Sequence, residues 1–157
     1  MKSNIFYFIL FVCSIAASRI IPHPPNFTPI LAIAVMAPLL TGNVMLGIVL
    51  SLSSMILSDL YWGYHNTIGW VYFSIALSSL LTRYINNAYL AGIGASILFF
   101  VVTNFAVWLS GYYGFTMEGL LACYIAAIPF FQNTIAGTLI YIMIIKSIVS
   151  VQRRIYA

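Results

Sequence analysis

Two carboxylates, Asp59 and Glu118, and two histidines, His23 and His65, are all the carboxylate and imidazole side chains that this sequence of 157 residues offers to acid–base or metal chemistry. They are scattered over separate segments, without the spacing that lets His, Asp and Glu converge on one ion, so no metal centre is predicted. Cys13 and Cys123 sit in apolar runs, make neither a metal spacing nor a disulfide framework, and read as buried small hydrophobes. A phosphate-binding glycine loop, an HExxH helix and a Gly-x-Ser-x-Gly elbow are all missing. The expectation is a protein that is no enzyme, holds no cofactor and hydrolyses no ATP by itself.

What remains is recognition chemistry, and it is gathered in three stretches. The first is Arg19-Ile20-Ile21-Pro22-His23-Pro24-Pro25-Asn26-Phe27-Thr28-Pro29. The second runs from Ser58-Asp59 through Tyr61-Trp62-Gly63-Tyr64-His65-Asn66, and the third from Gly111-Tyr112-Tyr113 to Thr116-Met117-Glu118. Few polar groups among many aromatic ones suit the binding of a flat small molecule, with rings stacking on it and polar atoms orienting it.

The elements that must position these residues follow from hydropathy. The chain is 63% hydrophobic and only 5% charged, against roughly 25% charged in soluble domains. That excludes an ordinary soluble enzyme, a nucleic-acid binder and a disordered chain. A helix crossing the ~30 Å hydrocarbon core needs about 20 apolar residues. Six segments qualify or nearly so: residues 4–21, 28–40, 44–60, 68–82, 89–110 and 119–150. The second is short and contains Pro38, so a re-entrant loop is the competing reading. The last is too long for one straight span and is expected to kink at Pro129. An amino-terminal leader, with Lys2 ahead of an apolar core and Ala16-Ala17 behind it, is a lesser reading of the first segment. No repeat or linker divides the chain, so residues 1–157 are expected to form a single transmembrane domain: an all-α integral membrane protein, a six-helix bundle.

Orientation comes from the basic residues. With a cytoplasmic amino terminus, six crossings place Lys2, Arg83, Lys146, Arg153 and Arg154 inside and leave only Arg19 outside. Both termini are then cytoplasmic. All three polar stretches fall on the outer side, which makes Arg19, His23, Asn26, Asp59, Tyr64, His65, Asn104 and Trp108 the candidate ligand-binding residues. Asp59 at membrane depth should have a partner, with Arg19 the first choice and the histidines next; the plainer reading is an acid that ends a helix. Glu118 is explained by its place in the first turn of the last helix, behind Thr116. Thr28 is expected to cap the second helix with Pro29 at its first position. The prolines before it make a pocket wall or simply a stiff turn. Asn104 and Trp108 share a helix face. Gln132 and Asn133 are read as packing groups near Pro129, and Ala122/Ala126, Ala88/Gly92 and Gly92/Ser96 as small-residue helix contacts.

The run Arg19–Pro29, the segment Ser58–His65, the stretch Val102-Thr103-Asn104-Phe105-Ala106-Val107-Trp108-Leu109-Ser110 and the stretch Ala127-Ile128-Pro129-Phe130-Phe131-Gln132-Asn133-Thr134 resemble a family of small bacterial integral membrane proteins of uncharacterised function. That family is grouped with the substrate-binding S components of energy-coupling factor (ECF) transporters. The resemblance implies a six-helix protein of the bacterial cytoplasmic membrane. It would bind a vitamin or related micronutrient in an outward-facing pocket. An ECF-type transmembrane subunit and ATPases would be its partners in uptake. Many S components carry an Ala-xxx-Ala docking spacing in their first span; here the first span has adjacent Ala16 and Ala17, and the spacing lies in the last, at Ala122 and Ala126. Two other functions fit the same residues: a proton- or cation-coupled carrier using Asp59, and a scaffold that transports nothing.

Overall fold

A computed structural model describes the backbone of residues 2–155 and the side chains of residues 8–155. Six helices follow one another: α1 (Lys2–Ile20), α2 (Ile30–Thr41), α3 (Val44–Trp62), α4 (Ile68–Leu81), α5 (Ala88–Leu109) and α6 (Met117–Ile155). Among the described residues all regular structure is helical. The helices alternate in direction. One end of the bundle therefore collects residues 21–29, 63–67 and 110–116, and the other collects the turns at 42–43 and 82–87. We call these the Arg19 end and the Lys146 end.

Helix α2 is the central post. Ile30 to Met36 are buried without a break, and Pro38 with them. A helix apolar on every side belongs inside a bundle, and α2 packs on α3, α4, α5 and α6. It has only 12 residues, about 18 Å at ~1.5 Å per residue, because it does not start at the end of the bundle. Pro22, Pro24 and Pro25 cannot continue a helix. The chain turns through a Phe27 N–H bond to the Pro24 carbonyl (3.0 Å) and Asn26 at a φ of 64°, a left-handed geometry that Asn tolerates. It thereby dips inward until Phe27 and Thr28 rest on Gly137 of α6, where a Cβ would lie 3.1 Å from Phe27 Cα. The expected Thr28 cap is absent. Pro29 holds the cap position with no side-chain bond, and its carbonyl takes the first helical N–H, from Ile33 at 2.9 Å.

Small residues let the other helices close around this post. Gly42, left-handed at a φ of 71°, ends α2, and Asn43 caps α3 by accepting from Leu46 N–H at 3.2 Å. Gly47 then lies against Pro38, so close that a Cβ would come within 2.6 Å of the ring. Ser51, Ser54 and Ser58 on α3 and Ser74 and Ser78 on α4 are fully buried. Their hydroxyls bond back to carbonyls of their own helix, at 2.7 Å for Ser51 and 2.8 Å for Ser54, so no partner across the interface is needed. Between α5 and α6, Gly92 abuts Ile142 and Thr138, and Ser96 Oγ lies 3.3 Å from Thr138 Oγ1.

Three further expectations change. Ala122 and Ala126 are exposed, so that pair joins no helices within this chain. Cys13 is exposed and only Cys123 is buried; an apolar neighbourhood in sequence does not fix which way a helix face turns. Gln132 is exposed, and Thr134 is the residue of that group that faces inward.

Helices α3, α5 and α6 are long and apolar enough to cross a membrane, and Phe8–Ile20, α2 and α4 are shorter apolar helices. The 39 residues of α6 run unbroken through Pro129, about 58 Å at ~1.5 Å per residue. Large apolar side chains such as Leu60, Phe73, Leu90, Ile97, Leu121, Ile125 and Ile148 stand exposed on the outside.

Candidate functional site

The site is built where α1 ends. Arg19, in the last turn of α1, extends its side chain to α3. Its Nη1 donates to Asp59 Oδ1 at 2.8 Å and to the Ser58 hydroxyl. The second carboxylate oxygen of Asp59 accepts from the Tyr72 hydroxyl of α4 at 2.8 Å. Asp59 is only 3% exposed. A buried carboxylate is tolerated when a charge partner and further donors occupy its lone pairs, and here both oxygens are taken. The expected Arg19–Asp59 pair is present, and Tyr72 extends it into a link between α1, α3 and α4.

The same Arg19 supplies a second anchor through its backbone. Its carbonyl, one of those left without an intrahelical partner at the end of α1, accepts from Trp62 Nε1 at 3.3 Å. His23 Nε2 lies 3.2 Å from the same oxygen. These contacts hold the proline-rich segment and the end of α3 against α1.

Beside this clamp lies a cavity of about 440 Å³. The end of α1 supplies Arg19 and Ile20, and the inward-dipping segment supplies Ile21, Pro22, His23, Asn26 and Thr28. The remaining walls are Ile30 and Leu31 of α2, Met55 and Trp62 of α3, Ile75 of α4, Phe99 of α5, and Thr134 and Thr138 of α6. A second cavity of about 280 Å³ adjoins it and shares Arg19, Asn26, Met55, Phe99 and Thr134. Its other walls include His65, Thr67, Phe100, Thr103, Asn104, Phe130 and Phe131. Asn104 Nδ2 donates to the Phe100 carbonyl at 2.7 Å, which leaves its side-chain oxygen to accept. His65 Nδ1 is 3.0 Å from the Thr67 hydroxyl.

Of the eight candidate residues, Arg19, His23, Asn26, His65 and Asn104 line these cavities. Asp59 stands behind Arg19 and lines neither. Tyr64 is 69% exposed on the α3–α4 connection. Trp108 packs between Phe105 and Phe115, at centroid distances of 5.6 and 6.1 Å, and its buried indole N–H has no hydrogen-bond partner among the described residues. Sequence reasoning passed over Tyr72, Phe99, Met55 and Thr134. Ser58 beside Asp59 and Thr134 behind Pro129 were visible as polar residues in apolar helices. Tyr72 and Phe99 carry no local signal, since only tertiary packing brings them to the site. Among the described residues, no three of His, Cys, Asp and Glu come together as a metal site.

The fold and the site define a class: an all-helical protein with three helices fit to cross a membrane and a small-molecule-sized double cavity at one end. The chain belongs to a family of unknown function, DUF6580, whose profile matches residues 1–157. No curated protein and no solved structure matches it.

Proposed function

We propose that this protein is a single-domain, six-span protein of the bacterial cytoplasmic membrane, with both termini inside, that captures a small molecule from the outer face for uptake. On this reading it works as an S component of an ECF transporter does, with a transmembrane subunit and ATPases supplying the energy and a vitamin or related micronutrient as cargo. The observation that carries the proposal is the pair of adjoining cavities joined at Arg19 and Asn26, apolar and aromatic over most of their walls with a few convergent polar groups. That is the make-up of a small-molecule site. The apolar exterior and the concentration of Lys and Arg at the opposite end support the membrane placement and its direction.

Native mass spectrometry of the protein purified from a bacterial membrane tests the binding. A small molecule is expected to co-purify, and Asn104→Ala should bind it about 2- to 10-fold more weakly, the effect of one net hydrogen bond. A preparation of folded protein that carries and binds no small molecule from a vitamin panel overturns the reading. Single cysteines at positions 23 and 65, with Cys13 and Cys123 replaced by serine, should both label from outside the cell. Labelling from opposite sides removes the shared outer site.

A further inference from the structure

At the Lys146 end a cavity of about 620 Å³ opens between the last turns of α2, the start of α5 and the end of α6. Its rim carries the exposed cations Lys146, Arg153 and Arg154, and Met36, Leu39 and Leu40 of α2 give it an apolar wall. The only side-chain carboxylates of the sequence, Asp59 and Glu118, are at the far end of the bundle. Among the described residues, none of these three cations forms a salt bridge. Lys146 is held in place instead by the Tyr89 ring, with Nζ 4.5 Å from its centroid. Asn87, also on the rim, uses its side-chain oxygen to accept from Tyr89 and Leu90 N–H at 3.0 and 3.1 Å, leaving its NH2 to donate.

We propose that this cavity is a binding site for the phosphate headgroup of an anionic phospholipid. The side-chain donors are an ammonium, two guanidinium groups, amides and the Ser150 hydroxyl, a set that suits a phosphate oxyanion. The apolar α2 wall reaches the outside of the bundle at Leu40, which is 43% exposed, and suits acyl chains, which a free anion does not have. A basic pocket between helices on the cytoplasmic side is where such headgroups are bound. The inference rests on the membrane placement proposed above but not on the Arg19-end cavities, so either can fail alone.

The test is retention of phosphatidylglycerol and cardiolipin, against phosphatidylcholine, by the detergent-purified full chain in native mass spectrometry. The wild type should keep the anionic lipids selectively. Lys146→Gln with Arg153→Gln and Arg154→Gln should weaken retention roughly fivefold per cation lost, about a hundredfold together. The charge-keeping triple Lys146→Arg, Arg153→Lys, Arg154→Lys should retain it. Arg83→Gln, which removes an exposed cation at the same end that does not line the cavity, should change nothing. Equal retention of phosphatidylcholine, a Gln triple that still holds anionic lipid, or a loss as large in Arg83→Gln overturns the proposal. Displacement of the lipid by millimolar inorganic phosphate overturns it as well, because the site would then be one for a free anion.

Discussion

The two ends of the bundle use the same kind of residue in opposite ways. At the Arg19 end a single cation is neutralised within the fold: Asp59 sits 2.8 Å away, and Tyr72 and Ser58 fill the remaining positions of the network. At the Lys146 end three cations share a rim with no side-chain carboxylate among the described residues there. Charge at the first end is a cross-link between helices, and its counter-ion is built in. Charge at the second has no side-chain counter-ion among the described residues. The lesson is that in a sequence with eight charged residues the location of the two acids decides what each base does.

The largest expected effect tests that contrast directly. Asp59→Ala leaves the Arg19 guanidinium in a largely buried position without its counter-ion. It should lower stability by about 3–5 kcal/mol, as removal of one partner from a buried pair does. Replacing both partners, Arg19→Met with Asp59→Leu, should recover most of that loss. Lys146→Gln at the other end loses only the contact with the Tyr89 ring and should stay within about 1 kcal/mol. Unfolding of bicelle-held protein by sodium dodecyl sulfate measures all three. Equal losses for Asp59→Ala and Lys146→Gln would erase the distinction between the ends.

A smaller effect sharpens the description of the clamp. Tyr72→Phe removes only the hydroxyl that donates to Asp59 Oδ2 at 2.8 Å. A hydrogen bond to a charged group contributes about 1.5–3 kcal/mol, and the same unfolding assay should show a loss of that size. If Tyr72→Phe is silent, the clamp is Arg19 and Asp59 alone, and α4 is held by packing.

Close approach to the central post makes a third contrast. A Cβ at Gly47 would meet the Pro38 ring at 2.6 Å and the Ala34 carbonyl at 3.0 Å, neither of which can move aside. A Cβ at Gly92 would meet the Cδ1 tip of Ile142 at 2.5 Å, which can rotate away. Gly47→Ala should therefore cost about 1–3 kcal/mol by overpacking, and Gly92→Ala clearly less. The reverse order would mean that α5 and α6, not α2 and α3, form the rigid part of the bundle.

How much of this could be read in the sequence depends on the range of the interaction. Helix existence is a local matter of hydropathy, and every helix lies within a few residues of its expected place. The segment at 119–150 is longer at both ends, reaching 117 and 155. The Arg19–Asp59 pair was legible because a lone acid in an apolar helix demands a partner, and Arg19 was the one permanently charged base near that end, with His23 and His65 behind it. The inward dip of residues 21–29 was not legible. Prolines announce that a segment is not helical, but they do not say that Gly137, far along the chain, leaves room for Phe27 and Thr28 to rest on α6. The serine stripes on α3 and α4 were legible as small polar residues, but their burial depended on which face met α2. Tyr64 and Trp108 show the limit from the other side. Both are aromatic residues at the expected end, yet one points outward and the other packs among Phe105 and Phe115, because aromatic character alone does not say which neighbour a ring will find.

The smallest predicted effect probes how firmly the Lys146 end is prepared for an anion. If Tyr89 holds Lys146 over the cavity, Tyr89→Leu keeps the apolar bulk and removes the ring face that attracts the ammonium. A partly exposed cation–π contact contributes about 0.5–1 kcal/mol, so unfolding should shift by no more than that. The loosened lysine then has to be ordered by the lipid itself, which spends binding energy on restricting a flexible side chain. Phosphatidylglycerol retention should fall about 2- to 5-fold, the same free energy read as an equilibrium constant. Binding at the Arg19-end cavities should not change, because Tyr89 and Lys146 line neither of them. A drop in small-molecule binding in Tyr89→Leu would mean that the two ends are coupled through α5 and α6 and that the division between a self-neutralised end and an open one is too simple.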